Sequence, residues 1–186
     1  MTKVLYIVGS PNPADHSSSR QVAEFMLAEL KNKQEDVTVD VRDLYADHPF
    51  VLDSVYLSAL RKMQQQIALT AEESQALAKV GAEVDRFLQY DHYIVSLPLW
   101  NFGVPALLKA YVDNIVVPGK TFRYTATGPI GLLAGTGKKL VIVQSSGGFY
   151  HEGPGLVLNH GSRYLEDIFR FIGIDQINTI SLGGTA

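Results

Sequence analysis

The chain has 186 residues, 46% of them hydrophobic and 19% charged, and its formal net charge at pH 7 is −3. That length suits one domain with its own core, so we expect residues 1–186 to form a single domain. The slight negative charge gives no basis for binding nucleic acid or an anionic membrane surface. The sequence contains no cysteine, which excludes disulfides, thiolate catalysis and cysteine-ligated metal sites.

Two apolar segments bear on where the protein resides. The N-terminal segment MTKVLYIVGSPNP lacks the long apolar core and the small-residue cleavage site of a signal peptide. Residues 93–112 are long enough for a membrane span, but two prolines, an asparagine and a lysine interrupt them. A buried strand followed by a helix describes this window better. We therefore expect a cytoplasmic protein that does not enter the membrane.

Short apolar runs alternate along the chain with helical patterns. The runs are rich in Val and Ile and occupy residues 4–8, 37–41, 93–97, 140–144 and 177–182. Runs of this kind are typical of strands that are buried between two layers of helix. Apolar residues at helical spacing fill the segments between them, at 18–33, 70–90, 104–116 and 160–174. This alternation predicts an α/β fold with a parallel sheet and helices on both faces.

Two segments are longer than a simple connection between a strand and a helix. Residues 44–69 are predicted to contain a helix of their own. The next helix is predicted to start at Thr70, where Glu73 completes the spacing of a capping box. Residues 119–139 carry aromatic residues and several glycines. Segments of this length usually cover a site or form a partner surface, and we expect one of those roles here.

The first of three candidate loops follows the first strand. In an open parallel sheet, ligands bind beyond the carboxyl ends of the strands, and residues 9–19 leave such an end. This loop has neither Gly-x-Gly-x-x-Gly nor a P-loop motif. Ser10, Ser17, Ser18 and Ser19 instead offer hydroxyls beside the N–H groups of a helix start, which suits a single terminal phosphate. A serine cap on a polar loop is the alternative.

The other two loops follow the third and fourth strands. In residues 98–105, Trp100 and Phe102 flank Asn101, and large apolar side chains there can form the wall for a flat ligand. The alternative is that Trp100 covers the sheet edge. Residues 145–153 carry Gly147 and Gly148, which let backbone approach a ligand closely or form an ordinary turn. A phosphate at the first loop and a planar ring between the other two describe a mononucleotide such as FMN.

The sequence resembles a known family almost end to end. The most specific segments are SLPLWNFGVPALLKAYVDNIVVPGKTFRYTATGPIGLL, QSSGGFYHEGP and FRFIGI. They are similar to those of the FMN-dependent NADH azoreductase family, flavodoxin-fold enzymes that also act as NAD(P)H:quinone reductases. The resemblance implies a flavodoxin-like three-layer sandwich, with a five-stranded parallel sheet in the order 2-1-3-4-5 and helices on both faces.

The same resemblance implies an activity. It implies FMN as bound cofactor, NADH or NADPH as electron donor, a ping-pong two-electron reduction of quinones and azo compounds, and a homodimer. The flavin carries the chemistry, so no side chain is predicted to be catalytic. The five histidines show no metal-ligand spacing, and no metal site is predicted. The alternatives are an FMN electron carrier of the flavodoxin type and a flavin-free binding domain on a similar sheet.

The resemblance also assigns site residues. The predicted FMN-binding residues are Ser10, Ser17, Ser18, Ser19, Pro98, Leu99, Trp100, Asn101, Phe102, Ser145, Ser146, Gly147 and Gly148. The predicted substrate-pocket residues are Asn101, Tyr124, Tyr150 and Phe169, with core packing as the alternative for Phe169. We expect the N–H groups from Ser146 to Gly148 to stabilise negative charge on the reduced flavin.

The sequence departs from the family pattern at three places. Ser146 stands where the family often has arginine, and Tyr150 aligns with a common histidine. The sequence given stops just after the last predicted strand, where the family usually adds a helix, and loss of that helix would expose one face of the sheet. The changes at Ser146 and Tyr150 bear on substrate preference more than on flavin binding.

Overall fold

The structure is a computed structural model that describes residues 2–185. Within this range, the strands are β1 (Thr2–Val8), β2 (Val37–Asp43), β3 (His92–Pro98), β4 (Phe122–Thr125), β5 (Gly128–Gly131), β6 (Lys139–Ser145) and β7 (Gln176–Leu182). The α-helices are α1 (Ser18–Lys33), α2 (Ser54–Gln64), α3 (Ala71–Leu88), α4 (Ala106–Ile115) and α5 (Ser162–Phe171). None of the helices in this range is long and apolar enough to cross a membrane.

Five strands form one parallel sheet in the order β2-β1-β3-β6-β7. The remaining two, β4 and β5, form a separate antiparallel hairpin inside the long segment 119–139. With the hairpin strands left out of the count, the sheet strands follow one another as 2-1-3-4-5. The predicted α/β fold with a five-stranded parallel sheet is therefore confirmed, and the hairpin is an addition that the apolar runs did not indicate.

The central strands β1, β3 and β6 are buried on both faces, which explains why their sequences are nearly continuous apolar runs. Along β1, Leu5 and Ile7 pack into a core formed with α3, α4 and α5. Their neighbours Val4, Tyr6 and Val8 pack on the other face against α1. Successive side chains of a strand point to opposite faces, so a strand between two layers needs apolar residues at every position.

The long segment 44–69 contains its own helix, α2, as predicted. Asp53 caps α2 by accepting a hydrogen bond from the Tyr56 N–H at 2.9 Å. The predicted capping box of Thr70 and Glu73 is present at the start of α3. The Glu73 carboxylate also accepts hydrogen bonds from Ser58 and Lys62, both at 2.8 Å, which ties α2 to α3.

Candidate functional site

A cleft of about 210 Å³ opens at the carboxyl ends of β1, β3 and β6. It lies there because the ends of parallel strands share one edge of the sheet. All three predicted loops contribute to it. The lining residues are Ser10, Asn12, His16, Ser17, Ser18, Pro98, Leu99, Trp100, Ser145, Ser146, Gly147 and Thr185.

A larger cavity of about 680 Å³ lies elsewhere, between residues 47–51 and α3. Its buried cation, Arg42, is already engaged by the Glu83 carboxylate at 2.7 Å and the Asp47 carboxylate at 3.2 Å. Arg42 is thus already paired, and the lining includes no residue of the three predicted loops. The smaller cleft therefore remains the candidate site despite its volume.

The start of α1 is the most informative part of the cleft. Ser17 occupies the N-cap position, yet no side chain among the described residues caps this helix. The Ser17 hydroxyl lies 3.4 Å from that of Ser19, and the Ser10 hydroxyl accepts a hydrogen bond from the Asn12 N–H at 3.2 Å. The N–H groups of a helix's first turn need partners from outside the helix. Hydroxyls and free N–H groups at this positive end of the helix dipole form a donor set for an anion such as a phosphate.

Contacts at both ends hold this loop in place. The Gly9 N–H donates to the Ser96 carbonyl at 2.8 Å, and a Cβ at Gly9 would lie 3.0 Å from that oxygen. At the other end, Arg20 donates to the Asn12 carbonyl at 3.1 Å and pairs with Asp43 at 3.6 Å. The glycine thus permits close strand contact, and the arginine after the serines braces the loop.

The second loop folds into a tight turn. Trp100 and Gly103 exchange two backbone hydrogen bonds, at 3.1 and 2.9 Å. The two residues between them, Asn101 and Phe102, have φ of +48° and +65°. Phenylalanine rarely adopts this left-handed conformation, and strain of this kind concentrates at functional sites.

The turn presents an apolar surface to solvent. Trp100 is 42% exposed and Phe102 is 41% exposed, so Trp100 does not serve as a buried cover of the sheet edge. Tyr150 of the third loop packs edge to face on Phe102, with ring centroids 5.6 Å apart. The Leu99 N–H donates to the Ser145 carbonyl at 2.7 Å. The second and third loops therefore form one surface beside the cleft.

A buried network of polar side chains connects the segments on either side of the third loop. Gln144, at the end of β6, donates to the Asn159 side chain at 3.1 Å and accepts from the Ser162 N–H at 2.6 Å. Asn159 in turn donates to the Ser162 hydroxyl at 3.0 Å. Buried polar side chains that are fully paired fix local geometry. This network joins the end of β6 to the start of α5.

Most of the predicted cofactor residues line the cleft. The exceptions are Ser19, Asn101, Phe102 and Gly148, which lie in the same three loops beside it. Tyr150 lies in the adjoining surface, through its contact with Phe102. Of the N–H groups from Ser146 to Gly148 that we expect to stabilise the reduced flavin, that of Ser146 already donates to the Leu182 carbonyl at 2.8 Å.

Two predicted pocket residues lie away from the cleft. Phe169 is 1% exposed and packs in the core, with its ring 6.0 Å from that of Phe87 and 6.3 Å from that of Tyr93. Its side chain has a packing role, because α5 turns that face towards the sheet. Tyr124 lies on the β4–β5 hairpin and is 74% exposed.

Three residues that line the cleft were not predicted. Asn12 and His16 belong to the first loop and carry no motif that distinguishes them from its other polar residues. Thr185 comes from the segment after β7. Its proximity to the cleft depends on which strands pair, and no local sequence signal indicates it.

The cleft offers hydrogen-bond donors and an apolar surface, with little acid–base chemistry. His16 is the cleft's one titratable side chain within residues 2–185, and it is largely exposed. No group of His, Asp and Glu side chains in that range is arranged to hold a metal ion. The arrangement suits a flat ligand that carries a phosphate and brings its own chemistry.

Comparison with known proteins places this fold and site in a class. Residues 2–186 match the family described as Flavodoxin-like fold. The chain is therefore a protein of the flavodoxin-like class, in which the strand-end cleft is the expected ligand site.

Individual relatives narrow the class to a family. The FMN-dependent NADH:quinone oxidoreductase 2 of Listeria innocua is 42% identical over 187 residues, which cover 99% of this chain and 88% of the relative. The FMN-dependent NADH:quinone oxidoreductase of Staphylococcus haemolyticus is 38% identical over similar shares. This chain belongs to the FMN-dependent NADH:quinone oxidoreductase family.

Solved structures agree with that assignment. An FMN-dependent NADH-azoreductase from Bacillus anthracis, in complex with FMN, superposes with a TM-score of 0.93 at 32% identity. The match covers 100% of this chain and 89% of that one. The azoreductase AzrA gives a TM-score of 0.90 at 31% identity, over 98% and 87% of the two chains.

Proposed function

We propose that this protein is an FMN-dependent NAD(P)H oxidoreductase that reduces quinones and azo compounds by two electrons. The observation that carries the proposal is the uncapped start of α1 beside an exposed apolar turn, at one edge of the sheet. The first feature suits a phosphate and the second a planar ring, and FMN contains both. The relatives' names, quinone oxidoreductase and azoreductase, supply the substrate class.

The residues present fit FMN part by part. We assign its phosphate to Ser10, Ser17, Ser18, Ser19 and the N–H groups of the first turn of α1. We assign its ring system to Pro98–Phe102 and Ser145–Gly148. The cleft volume of about 210 Å³ is below the usual range for a ligand pocket, roughly 300–1,000 Å³. The serine side of the cleft thus suits the phosphate, and its other side, with the open surface beside it, suits the ring.

Bound FMN supplies the two-electron exchange with the nicotinamide donor and the acceptor. The protein binds and orients the reactants, and its fixed donors stabilise negative charge. The N–H groups of Gly147 and Gly148 are the donors available for that purpose, because the Ser146 N–H is occupied by Leu182. Asn101 and Phe102 are positioned to contact a flat acceptor, since the turn places both at the exposed surface.

Assembly and location complete the proposal. We propose a homodimer in which the β4–β5 hairpin, with Tyr124, and residues 44–69 meet a second copy near the exposed turn. The exposed aromatics support this, because an apolar surface next to a site is typical of an interface. We also propose that residues 1–186 form a single FMN-binding domain in the cytoplasm, with which the cysteine-free composition agrees.

The test of function is an absorbance spectrum of the purified protein with FMN, then with NADH, then with a benzoquinone. We expect a bound flavin band that NADH bleaches and the quinone restores. If FMN binds but NADH does not bleach it, the protein is an electron carrier and not an NADH-dependent enzyme. If FMN does not bind, the alternative of a flavin-free binding domain is favoured. Sedimentation equilibrium tests the dimer, and a fully active monomer would contradict it.

A further inference from the structure

The segment after β7 returns to the third loop and makes several hydrogen bonds with one residue there. In the sheet, Leu182 pairs with Ser145. The Ser146 N–H donates to the Leu182 carbonyl at 2.8 Å. The Ser146 carbonyl accepts hydrogen bonds from both the N–H and the hydroxyl of Thr185, each at 3.1 Å. We call these contacts the Ser146–Thr185 clamp.

The clamp also orients the glycines of the loop. The Ser146 hydroxyl donates to the Gly148 carbonyl at 2.8 Å and lies 3.4 Å from the Leu182 carbonyl. The carbonyls of Ser146 and Gly148 are thus both engaged with protein. The N–H groups of Gly147 and Gly148 make no hydrogen bond with any other residue from 2 to 185. Since Ser146 is buried and Gly147 lines the cleft, the clamp leaves donors fixed at the site.

Packing around the clamp limits movement of this segment. The Phe149 ring lies against Gly183, where a Cβ would come within 2.7 Å of it. A side chain at Gly183 would therefore displace the ring and the loop that carries it. Thr185 itself lines the cleft. These contacts join two segments that are about forty residues apart in sequence.

We propose that Thr185 and Ser146 are positioning residues that hold the Gly147 and Gly148 N–H groups for the reduced form of the flavin ring. This inference rests on the proposed FMN site. Two-electron reduction puts negative charge on the ring, and donors that are fixed beforehand stabilise it without reorganising. Loosening the clamp should therefore weaken binding of reduced FMN more than binding of oxidised FMN, which lowers the reduction potential.

The test compares Thr185→Val, Thr185→Ser and Ser146→Ala with wild type. Thr185→Val keeps the shape but removes the hydroxyl donor, and Thr185→Ser keeps that donor. Thr179→Val is the matched control, because Thr179 lies on β7, the strand that leads to Thr185, and its hydroxyl donates to Glu166 instead. The dissociation constants of FMN and riboflavin are measured by fluorescence titration of the apoprotein. The midpoint potential of bound FMN is measured by equilibrium with reference dyes.

Loss of one hydrogen bond should weaken the binding of oxidised FMN about threefold to tenfold in Thr185→Val and in Ser146→Ala. If the affinity for reduced FMN falls a further tenfold, the reduction potential of bound FMN falls by about 30 mV for a two-electron couple. Thr185→Ser and Thr179→Val should match wild type. Riboflavin should show the same losses, because the clamp acts on the ring end of the ligand.

Several outcomes overturn the inference. One is a wild-type potential in both Thr185→Val and Ser146→Ala. Another is a Thr185→Val effect that disappears with riboflavin, since that would make Thr185 a direct phosphate contact. If Ser146→Ala fails to fold, the comparison of Thr185→Val with Thr185→Ser tests the inference, and equal midpoint potentials in these two variants would overturn it. Failure of the wild-type protein to bind FMN would instead remove the proposed function, so the two failures are distinguishable.

Discussion

Ser17 stands at the N-cap of α1 without capping it, and this makes Ser17→Ala a sharp test of the phosphate site. A serine that caps a helix contributes about 1 kcal/mol to stability. Ser17 makes no capping hydrogen bond, and within residues 2–185 the one hydrogen bond of its side chain is the 3.4 Å contact with the Ser19 hydroxyl. We therefore expect Ser17→Ala to change the free energy of unfolding of the apoprotein by less than about 0.5 kcal/mol.

The same substitution should have a large effect on FMN. A hydrogen bond to a charged group contributes about 1.5–3 kcal/mol, which corresponds to roughly a tenfold to 150-fold loss of affinity. Riboflavin lacks the phosphate, so its affinity should be unchanged. The difference between the two ligands isolates the contribution of the phosphate from any general disturbance of the site.

The assay is a fluorescence titration of apoprotein with each ligand, together with urea unfolding of the apoprotein. Thr70→Ala is the matched control, because the Thr70 hydroxyl does cap α3, accepting from the Glu73 N–H at 3.2 Å. It should cost about 1 kcal/mol of stability and leave both affinities unchanged. If Ser17→Ala behaves like this control, the serine is a helix cap and the phosphate assignment is wrong.

Three further predictions concern stability. Glu83→Gln should lower the free energy of unfolding in urea by about 3 kcal/mol, because Arg42 is 3% exposed and loses its main partner. Lys109→Gln is the control: it breaks an exposed ion pair and should lower that free energy by less than about 1 kcal/mol. Hydrogen bonds from Lys62 and the Thr70 N–H lower the pKa of Glu73 from 4.5 to about 2. Its stabilising contribution is therefore complete above about pH 4.5 and is lost as the pH falls towards 2. Glu73→Gln should flatten the fall of the urea midpoint in that window, and an unchanged slope would contradict the assignment. Phe169→Ala should lower the free energy of unfolding by about 3–5 kcal/mol and leave the KM of the folded enzyme for its acceptor unchanged. A raised KM together with wild-type stability would show that Phe169 belongs to the substrate pocket.

The sequence by itself determined the layers of the fold and the edge where the site lies. Apolar residues at every position from Val4 to Val8 of β1 require helices on both faces, and parallel strands place their carboxyl ends together. The serines, the Trp100 turn and the paired glycines follow those ends, so their meeting in one cleft was predictable. The end-to-end resemblance then supplied the cofactor, which spacing alone left open.

Only the tertiary structure decided how individual residues are used. Ser17 fits both a cap and an anion site in the sequence, and the uncapped geometry of α1 favours the anion site. Phe169 fits both core and pocket, and the helix rotation of α5 placed it in the core. Thr185 reaches the cleft because Leu182 pairs with Ser145 across two strands. Such long-range pairing depends on the whole sheet, and no local pattern in the sequence encodes it.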